Sequence, residues 1–379
     1  MNNTDRILEI DSATCEFELD EPLEIGGRLI ARREYTVARV TTGGGINGHA
    51  YAYSRGAPLH EVINGALAEK LVGENWWDVY RLHEWATALE SAVPKDLIRR
   101  AYALIDLCFW DIRGKAVGLP LWQLLGGYRR TIPVILVEGY PRRNEDCRVF
   151  AERIASRVDE GFHTIKIAYS GGAVEAEERL RETRGRVGAD VRLIMDAVWA
   201  WTDVDEALRA VKRWSAYDLA WVEDPFPAEE VSAIRTLRRA ANTPIGVGDD
   251  LTSLTTLLAL LNADAIDVVR LDVTELGSVG RFQAAMAFAS RYGRAVSPHI
   301  YPEVHQHFAF AQPGVAYVEF FPADSPFWCT EKFVRSDVHD RVHDGQLTAP
   351  SEPGLGIEVD WDVVAAHGTS ARAEVPFTM

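Results

Sequence analysis

Three short apolar runs between residues 193 and 251 each carry an acid at or near their end: LIMDAVWAW (193–201), AWVEDP (220–225) and IGVGDDL (245–251). The acids are Asp196, Glu223 and Asp249, spaced about 25 residues apart, roughly one strand plus one helix. Because a strand covered by helices reads as a short apolar run, each acid is predicted to end a parallel strand. The repeat therefore predicts a closed sheet with three carboxylates side by side on one rim.

These three carboxylates would repel one another unless a cation lay between them. Oxygen ligands select a hard cation, and a site that leaves room for water and substrate oxygens suits Mg²⁺ better than Zn²⁺. We therefore predict Asp196, Glu223 and Asp249 as Mg²⁺ ligands, with Asp250 as a neighbour that can share the third position. The alternative is three unrelated solvated acids in a chain that holds 56 acidic residues.

The composition is that of a soluble globular protein, with 379 residues, 47% hydrophobic and 25% charged. A formal net charge of −16 argues against nucleic acid or an anionic membrane as partner. It does not argue against an anionic small molecule, because a bound divalent cation reverses the local field. Four cysteines without CxxC spacing, and a start without a secretory signal, favour reduced thiols and a cytoplasmic location.

The first 127 residues are predicted to form an α+β domain. Alternating patterns in ILEIDSATCEFEL (7–19), REYTVARVTT (33–42) and HAYAYS (49–54) predict a three-stranded antiparallel meander, and helical patterns follow. The segment at residues 24–33 has few strand or helix signals and is a candidate mobile flap. Together with residues 50–55, it is expected to cover the pocket.

Strand and helix patterns alternate after residue 128 and predict a (β/α)₈ barrel, with its chemistry at the carboxyl ends of the strands. The predicted strand ends lie near Val137, Ile167, Asp196, Glu223, Asp249, Asp272, His299 and Phe320. A glycine- and proline-rich tail from residue 350 is expected to return to the first domain.

In the strand TIKIAYS (164–170), Lys166 shares its parity with Thr164 and Ala168, so an inward Lys166 would stand beside the first metal acid. A buried lysine there would either lose its proton easily or pair with a substrate carboxylate. The next two strand ends carry Asp272 and His299, where a carboxylate fixes the imidazole tautomer and raises its basicity. His299 is therefore the predicted base. His305 and His307 are interpreted as residues of a helix start or a loop.

Glu319 in YVEFF (317–321) lies among aromatic residues that would favour its protonated form, so that it could donate a hydrogen bond. An ion pair with a nearby arginine is the alternative. Arg270 shares parity with Asp272 and is predicted either to screen that acid or to hold a substrate carboxylate. Further predicted substrate contacts are Glu138, Tyr140 and Tyr169.

These motifs, together with ALIDLCFWDIRGKAVGLPLWQLLGG (103–127) and PGLGIEVD (353–360), resemble the enolase superfamily, in particular its mandelate racemase subgroup. The resemblance covers nearly the whole chain. It implies an α/β fold, a modified TIM (β/α)₈ barrel at residues 128–349 with an α+β capping domain at 1–127 and a tail at 350–379. It also implies Mg²⁺ and abstraction of the proton α to a substrate carboxylate, giving an enediolate.

The resemblance also implies a role for each of these residues. Asp196, Glu223 and Asp249 match the metal ligands, and Asp272 and His299 match the catalytic dyad. Glu319 matches the acid that hydrogen-bonds the enediolate. Lys166 matches the first lysine of a paired-lysine motif. The second lysine position holds Ala168, so one face of the α-carbon lacks its usual proton-transfer group. The third metal ligand is often Glu in the family, so aspartate there implies a slightly shifted ion.

With one base, the favoured reaction is dehydration of an acid sugar to a 2-keto-3-deoxy acid. A racemase or epimerase is an alternative, for which Tyr169 or a residue of the 24–33 segment would have to serve the second face. A lactone cycloisomerase is another. A non-catalytic binding protein on an inherited scaffold is favoured by Ala168 and opposed by the intact acids. A homo-oligomer is expected, since oligomers are usual in the subgroup.

Overall fold

The computed structural model describes residues 3–25, 28–326 and 328–368. It begins with an antiparallel sheet of three strands in the order β1 (Ile7–Ile25), β2 (Arg28–Thr42) and β3 (Asn47–Tyr53). The predicted meander is confirmed, but the strands run further than the alternating pattern. The 24–33 segment lies at the end of a long hairpin, in which Leu23 pairs with Ile30. Gly26 and Gly27, also part of that predicted flap, lie outside the described residues.

Five helices follow the sheet, and we refer to the sheet and these helices as the cap. They are α1 (Leu59–Val62), α2 (Ala68–Leu71), α3 (Val79–Ala88), α4 (Lys95–Val117) and α5 (Leu121–Leu124). Helix α4 begins after Pro94 and ends at Gly118, whose φ of 71° is the left-handed stop that the sequence predicts. Strand β3 approaches α4 closely, since a Cβ at Gly48 would lie 2.2 Å from the Cys108 carbonyl oxygen. Glycine at residue 48 therefore sets how tightly the sheet packs on α4.

Eight parallel strands form the barrel. They are β4 (Thr131–Gly139), β5 (Thr164–Ala168), β6 (Arg192–Asp196), β7 (Leu219–Glu223), β8 (Ile245–Val247), β9 (Val268–Leu271), β10 (Ala295–Pro298) and β11 (Val318–Phe320). The predicted strand ends are confirmed to within two residues. Strand β11 pairs with β4, and Val296 of β10 bridges to Val315 just before β11, which closes the ring.

Helices connect the strands on the outside of the ring. They are α6 (Cys147–Asp159), α7 (Ala173–Val187), α8 (Val204–Trp214), α9 (Val231–Ala240), α10 (Leu254–Asn262), α11 (Val273–Leu276), α12 (Val279–Arg291) and α13 (Pro302–Ala311). Each helical connection carries the chain back to the start of the next parallel strand. The carboxyl ends of the eight strands therefore lie on one rim of the barrel.

The barrel departs from the ideal repeat after β11. In the described residues from there to residue 368, 3₁₀ turns and short strands replace an eighth barrel helix: β12 (Val334–Arg335), β13 (Val342–His343), β14 (Gln346–Thr348) and β15 (Glu358–Val359). Strand β14 adds to β4 in the antiparallel direction, with Leu347 opposite Ile132. The fold is therefore the modified barrel that the resemblance implies.

The last described segment, which includes α14 (Trp361–Ala366), packs on the cap. Glu16 N–H donates to the His367 carbonyl oxygen at 3.0 Å, and the rings of Phe17 and Phe333 stack with centroids 5.2 Å apart. Residues 369–379 of the predicted tail lie outside the described residues. The division of the chain after residues 127 and 349 stays a prediction.

No helix in the described ranges 3–25, 28–326 and 328–368 is both long enough and apolar enough to cross a membrane. The cytoplasmic location and the homo-oligomer stay predictions.

Helix α13 contains the two histidines that the sequence interpretation assigned to a helix start or a loop. That interpretation is wrong, because His305 and His307 lie inside the helix and are fully buried. His307 Nδ1 accepts from Trp122 N–H at 3.2 Å, and its Nε2–H donates to the Leu355 carbonyl oxygen at 3.1 Å. A neutral His307 ring therefore ties the barrel to α5 and to the C-terminal segment.

Lowering the pH from 6.5 to 4 is expected to destabilise the protein through His307. Burial lowers the pKa of this ring from 6.5 to about 4, so between these values only the unfolded chain takes up the proton. The contribution is complete above pH 6.5 and is lost as the pH falls towards 4, about 3 kcal/mol in all. The measurement is the free energy of unfolding in urea across this range.

His307→Gln should flatten this part of the pH profile relative to the wild type. His343→Gln, which changes an exposed histidine of β13, is the matched control and should keep the wild-type slope. A wild-type slope in His307→Gln would contradict the prediction.

Candidate metal centre and active site

The three predicted metal acids converge at the carboxyl ends of neighbouring strands. Asp196 is the last residue of β6, Glu223 is the last residue of β7, and Asp249 lies two residues beyond β8. Parallel pairing places Asp196 opposite Glu223. One carboxylate oxygen from each acid lies within 4.8 Å of the others, and all three side chains are buried. The structure therefore brings together the three acids that the sequence spacing placed on one rim.

This donor set fits Mg²⁺. It consists of carboxylate oxygens alone, which hard cations prefer, and the oxygens are close enough to share one ion. Burial raises the pKa of both Asp196 and Glu223 despite the neighbouring Lys166. A divalent cation bound between these acids would supply positive charge that favours their ionised forms.

Lys166 of β5 lines the cavity at the barrel mouth, as the strand alternation predicts. Its Nζ is 2.6 Å from Glu319 Oε1, 2.8 Å from Glu223 Oε1 and 3.4 Å from Asp196 Oδ2. Burial acts to lower the pKa of Lys166, but Glu223 and Glu319 outweigh it and hold the pKa well above its ordinary value. Of the two roles that the sequence left open, the geometry favours a permanent cation that pairs with anions.

Asp272 and His299 contact each other as predicted. His299 Nδ1 lies 3.3 Å from Asp272 Oδ2, and Nε2 lies 3.5 Å from Asp249 Oδ2. Asp272 Oδ1 also accepts from the Thr274 amide and hydroxyl, at 2.8 and 2.7 Å. Burial disfavours charge on the His299 ring, but Asp249 and Asp272 outweigh it and raise its pKa. With Nδ1–H donated to Asp272, Nε2 is the nitrogen that can accept a proton.

The contacts of Glu319 favour its charged form over the neutral acid, the first of the two forms that the sequence left open. Its Oε1 lies 2.6 Å from both Lys166 Nζ and Arg270 Nη2, and its Oε2 accepts from Ile300 N–H at 2.6 Å. Burial alone would raise the pKa of Glu319, but Arg270 and Lys166 hold it well below its usual range. The alternative of an ion pair with an arginine is the arrangement observed.

Tyr140 and Arg270, both predicted substrate contacts, have different positions. Tyr140 lines the cavity, and its hydroxyl donates to Asp196 Oδ2 at 3.1 Å. Arg270 is fully buried below the cavity, where its Nε donates to Asp249 Oδ1 at 3.0 Å and its Nη1 donates to the Ser297 carbonyl and hydroxyl oxygens at 2.8 Å. The substrate-contact prediction for Arg270 is therefore wrong, because all its charge is directed at protein groups.

Glu138 and Tyr169 also point away from the cavity, so these two predicted substrate contacts are wrong. Glu138 is buried against helix α6, with its Oε1 3.4 Å from Arg153 Nη1. The Tyr169 ring packs against Trp201 and Trp214, with centroid distances of 5.3 and 5.6 Å. Both side chains contact the helical layer outside the barrel.

Asp224 is a site residue that the sequence interpretation missed. Its two oxygens accept from Gly248 N–H at 2.8 Å and from Asp249 N–H at 3.2 Å. Burial and the neighbouring Asp249 and Asp250 raise its pKa well above the usual value. Asp224 therefore fixes the backbone that presents Asp249 to the rim. The sequence signal for Asp224 is its position next to Glu223 in AWVEDP, at the end of the same apolar run.

A cavity of about 710 Å³ lies between the cap and the barrel rim. Its barrel wall includes Lys166, Asp196, Asp249 and His299, and its cap wall includes Ile25, Ile30, Arg33, Tyr53 and Arg55. Both segments that the sequence placed over the pocket therefore contribute side chains. The volume is typical of a small-molecule site.

Two polar atoms of the cavity wall, Trp199 Nε1 and Asp250 Oδ1, are buried without a hydrogen-bond partner in the described structure. Val198 and Trp199 have left-handed backbone angles, φ 51° and 53°, which strain a β-branched valine. The surrounding structure must therefore hold this loop, and the indole with it, in place. An unpaired donor and an unpaired acceptor suit a ligand that carries hydroxyl groups.

Ala168 occupies the position of the second lysine. It is fully buried and lies level with Asp196 in the neighbouring strand. The cavity has His299, which follows β10, at one side and the Lys166 ammonium on β5 at the other. The methyl group of Ala168 therefore takes the place of the amine of the second lysine in the family's paired-lysine motif.

Comparison with known proteins matches both parts of the chain. Residues 10–126 match the family described as mandelate racemase / muconate lactonizing enzyme, N-terminal domain, and residues 149–363 match the enolase C-terminal domain-like family. L-talarate/galactarate dehydratase of Salmonella typhimurium is 28% identical over 326 residues, which cover 84% of this chain and 79% of that protein. D-galactarolactone cycloisomerase of Agrobacterium fabrum is 27% identical over 378 residues, 95% of this chain and 98% of that protein.

A crystal structure of an enolase from Bradyrhizobium, complexed with magnesium and mandelic acid, is also similar to this chain. The two superpose with a TM-score of 0.87 and 26% identity, covering 98% of this chain and all of the other. The capped barrel with acids on its rim thus defines an enolase-superfamily protein, and its cofactor is Mg²⁺. Within that superfamily, the chain belongs to the mandelate racemase / muconate lactonizing enzyme family. The fold and family implied by the sequence resemblance are confirmed.

Proposed function

We propose that this protein is a Mg²⁺-dependent acid sugar dehydratase that forms a 2-keto-3-deoxy acid. The observation that carries the proposal is the asymmetry of the cavity, with His299 and Asp272 on one side and Lys166 with Ala168 on the other. One base is sufficient for elimination, because the group that takes the α-proton can return it to the leaving hydroxyl. The unpaired Trp199 Nε1 supports a polyhydroxylated substrate.

In the proposed reaction, Asp196, Glu223 and Asp249 would hold Mg²⁺, which acts as a Lewis acid on the substrate carboxylate when bound. The Lys166 ammonium offsets the negative charge that develops on this carboxylate as His299 Nε2 takes the α-proton. Asp272 stabilises the resulting imidazolium. The imidazolium then protonates the β-hydroxyl as the C–O bond breaks and water leaves. The enol takes up a solvent proton at the β-carbon and becomes the keto acid.

Incubation with Mg²⁺ and a panel of acid sugars and lactones in D₂O tests this proposal. The expected product reacts with semicarbazide, is lighter than the substrate by one water and carries deuterium at C3. Removal of the metal with EDTA should slow the reaction at least about 10³-fold. Inverted configuration with deuterium at the α-carbon would identify a racemase or epimerase instead. An isomer of unchanged mass would identify a cycloisomerase, and either result contradicts dehydration.

A lactone cycloisomerase is the second candidate, favoured by the match over 98% of the Agrobacterium cycloisomerase. It needs the same first step from His299 but expels a ring oxygen in place of a hydroxyl. Racemisation is disfavoured, because Ala168 provides no proton-transfer group for the second face.

A further inference from the structure

We infer that the substrate is a dicarboxylic acid sugar and that Arg33 of the cap binds the carboxylate remote from the metal acids. The inference rests on the proposed function, because it names the substrate class of the same cavity. Its basis is a cation in the cavity wall that has no acidic partner among the described residues.

Arg33 of β2 lines the cavity, and its Nε is buried without a hydrogen-bond partner. Burial acts to lower the pKa of Arg33, and the neighbouring groups that outweigh it are Tyr53, Tyr35, Tyr140 and Cys329, none of which is a carboxylate. The guanidinium lies 5.1 Å from the centroid of the Tyr53 ring. No carboxylate of the described ranges pairs with it. A partly desolvated cation in this setting is stabilised when a ligand brings the missing anion.

Two other arginines of the hairpin have acidic partners. Arg32 pairs with Glu16 at 2.9 Å, and Arg39 pairs with Asp11 at 2.5 Å. The chain has 56 acidic residues against 40 lysines and arginines, so acids are in excess. Glu34, the next residue, instead accepts from Gly56 N–H at 3.2 Å. Among Arg32, Arg33 and Arg39, only Arg33 lacks an acidic partner in the described structure, and it lines the cavity.

Arg32 and Arg55 also belong to the cap wall. Arg32 is paired with Glu16, and Arg55 is less available than Arg33. Arg55 Nη1 lies 3.9 Å from Glu275, a carboxylate that also pairs with Arg100 at 3.0 Å. Its backbone φ of 49° further restricts its position. The free positive charge of the cap wall is therefore concentrated at Arg33.

Tyr140 connects the two ends of the inferred substrate site. Its hydroxyl donates to the metal acid Asp196, and Arg33 is among its charged neighbours. A short polyhydroxylated chain with an acid group at each end can therefore reach from the metal acids to Arg33. A phosphorylated acid sugar offers a similar distal anion, but a phosphate dianion usually recruits more than one cation. A single guanidinium matches a singly charged carboxylate.

Binding to His299→Asn protein with Mg²⁺ tests the inference without turnover. Calorimetry would compare a hexaric acid, the hexonic acid of the same configuration and its 6-phosphate. The expected dissociation constant for the diacid is at least about 10-fold lower than for the other two. Adding Arg33→Met should remove this preference, and Arg33→Lys should retain part of it. Arg39→Met, which removes the same charge from the same strand, should leave it intact.

Equal binding of the three ligands, absence of binding, or a preference that survives Arg33→Met would overturn the inference. Tighter binding of the 6-phosphate would overturn it in favour of a phosphorylated substrate. Turnover gives a separate readout, in which Arg33→Met should lower kcat/KM about 100-fold for the diacid and less than about 3-fold for the monoacid. Diacid-selective binding without dehydration would refute the proposed function alone. Dehydration without diacid selectivity would refute this inference alone.

Discussion

His299→Asn protein is expected to lose α-proton abstraction almost completely, with kcat at least about 10³-fold below the wild type. Asparagine keeps a polar side chain next to Asp272, but it has no nitrogen basic enough to accept the α-proton. The nearby Lys166 is a poor replacement, because Glu223 and Glu319 hold its pKa well above its ordinary value and favour the ammonium form. The measurement is the exchange of the substrate α-proton in D₂O, followed by ¹H NMR.

The fold and the metal site should survive this change, since His299 contributes no ligand to the acid cluster. Calorimetric Mg²⁺ affinity within about 3-fold of the wild type would show that the loss is chemical. Asp272→Asn should cause a smaller loss, about 10²-fold, because the ring remains but its orienting charge is removed. Substantial exchange in His299→Asn protein would transfer the role of base to another group.

The positions of the metal acids could be predicted because the relevant information is local. Asp196 and Glu223 each end an apolar run, and parallel pairing then places them side by side whatever the loops do. Alternation along TIKIAYS also placed Lys166 on the same face as Thr164 and Ala168, and in the structure Lys166 lines the cavity. Such inferences depend only on strand period and repeat length, and both are visible in one sequence.

Glu138 and Tyr140 were both predicted as substrate contacts, but their side chains have different surroundings. Val137 and Tyr140 line the cavity, whereas Glu138 contacts Arg153 of helix α6. Strands β4 and β5 shift register between Val137 and Gly139, so the two-residue alternation does not continue to Tyr140. Such a shift depends on the partner strand, and the sequence of β4 alone does not reveal it.

The sequence left the charge of Glu319 open for a related reason. Its neighbours in sequence are aromatic, whereas its neighbours in space are Arg270, 49 residues away, and Lys166. Long-range ion pairs decide the protonation state of a buried acid, and composition around the residue does not show them. The sequence also could not show that Arg33 lacks an acidic partner among the described residues, because this depends on the position of every acidic side chain around it.

Lys166→Met protein is expected to lose activity at least about 10³-fold and to become less stable in the absence of metal. In the metal-free protein, Lys166 Nζ contacts three buried carboxylates, those of Asp196, Glu223 and Glu319. Methionine fills a similar volume but leaves their charge less compensated, which costs about 3 kcal/mol. The cost lies at the low end of the usual range because Arg270 still contacts Glu223 and Glu319, at 3.1 and 2.6 Å.

Mg²⁺ should therefore stabilise the Lys166→Met protein more than it stabilises the wild type. The ion would bring positive charge to carboxylates that have lost their ammonium, so the difference in unfolding free energy between saturating Mg²⁺ and EDTA should be larger in the variant. Urea unfolding under both conditions measures it. Lys115→Met is the matched control, since Lys115 pairs with the buried Asp111 at 2.7 Å, outside the acid cluster.

The control variant should be destabilised by a similar mechanism but gain no more from Mg²⁺ than the wild type does. If Mg²⁺ raised the free energy of unfolding of Lys166→Met and of the wild type equally, the ammonium and the ion would not act on the same carboxylates. Lys166 would then not compensate the charge of the metal ligands, even if its replacement abolished the activity. If the increment is larger only in Lys166→Met, the lysine and the ion share one cluster of anions, and the lysine keeps that cluster folded before the ion arrives.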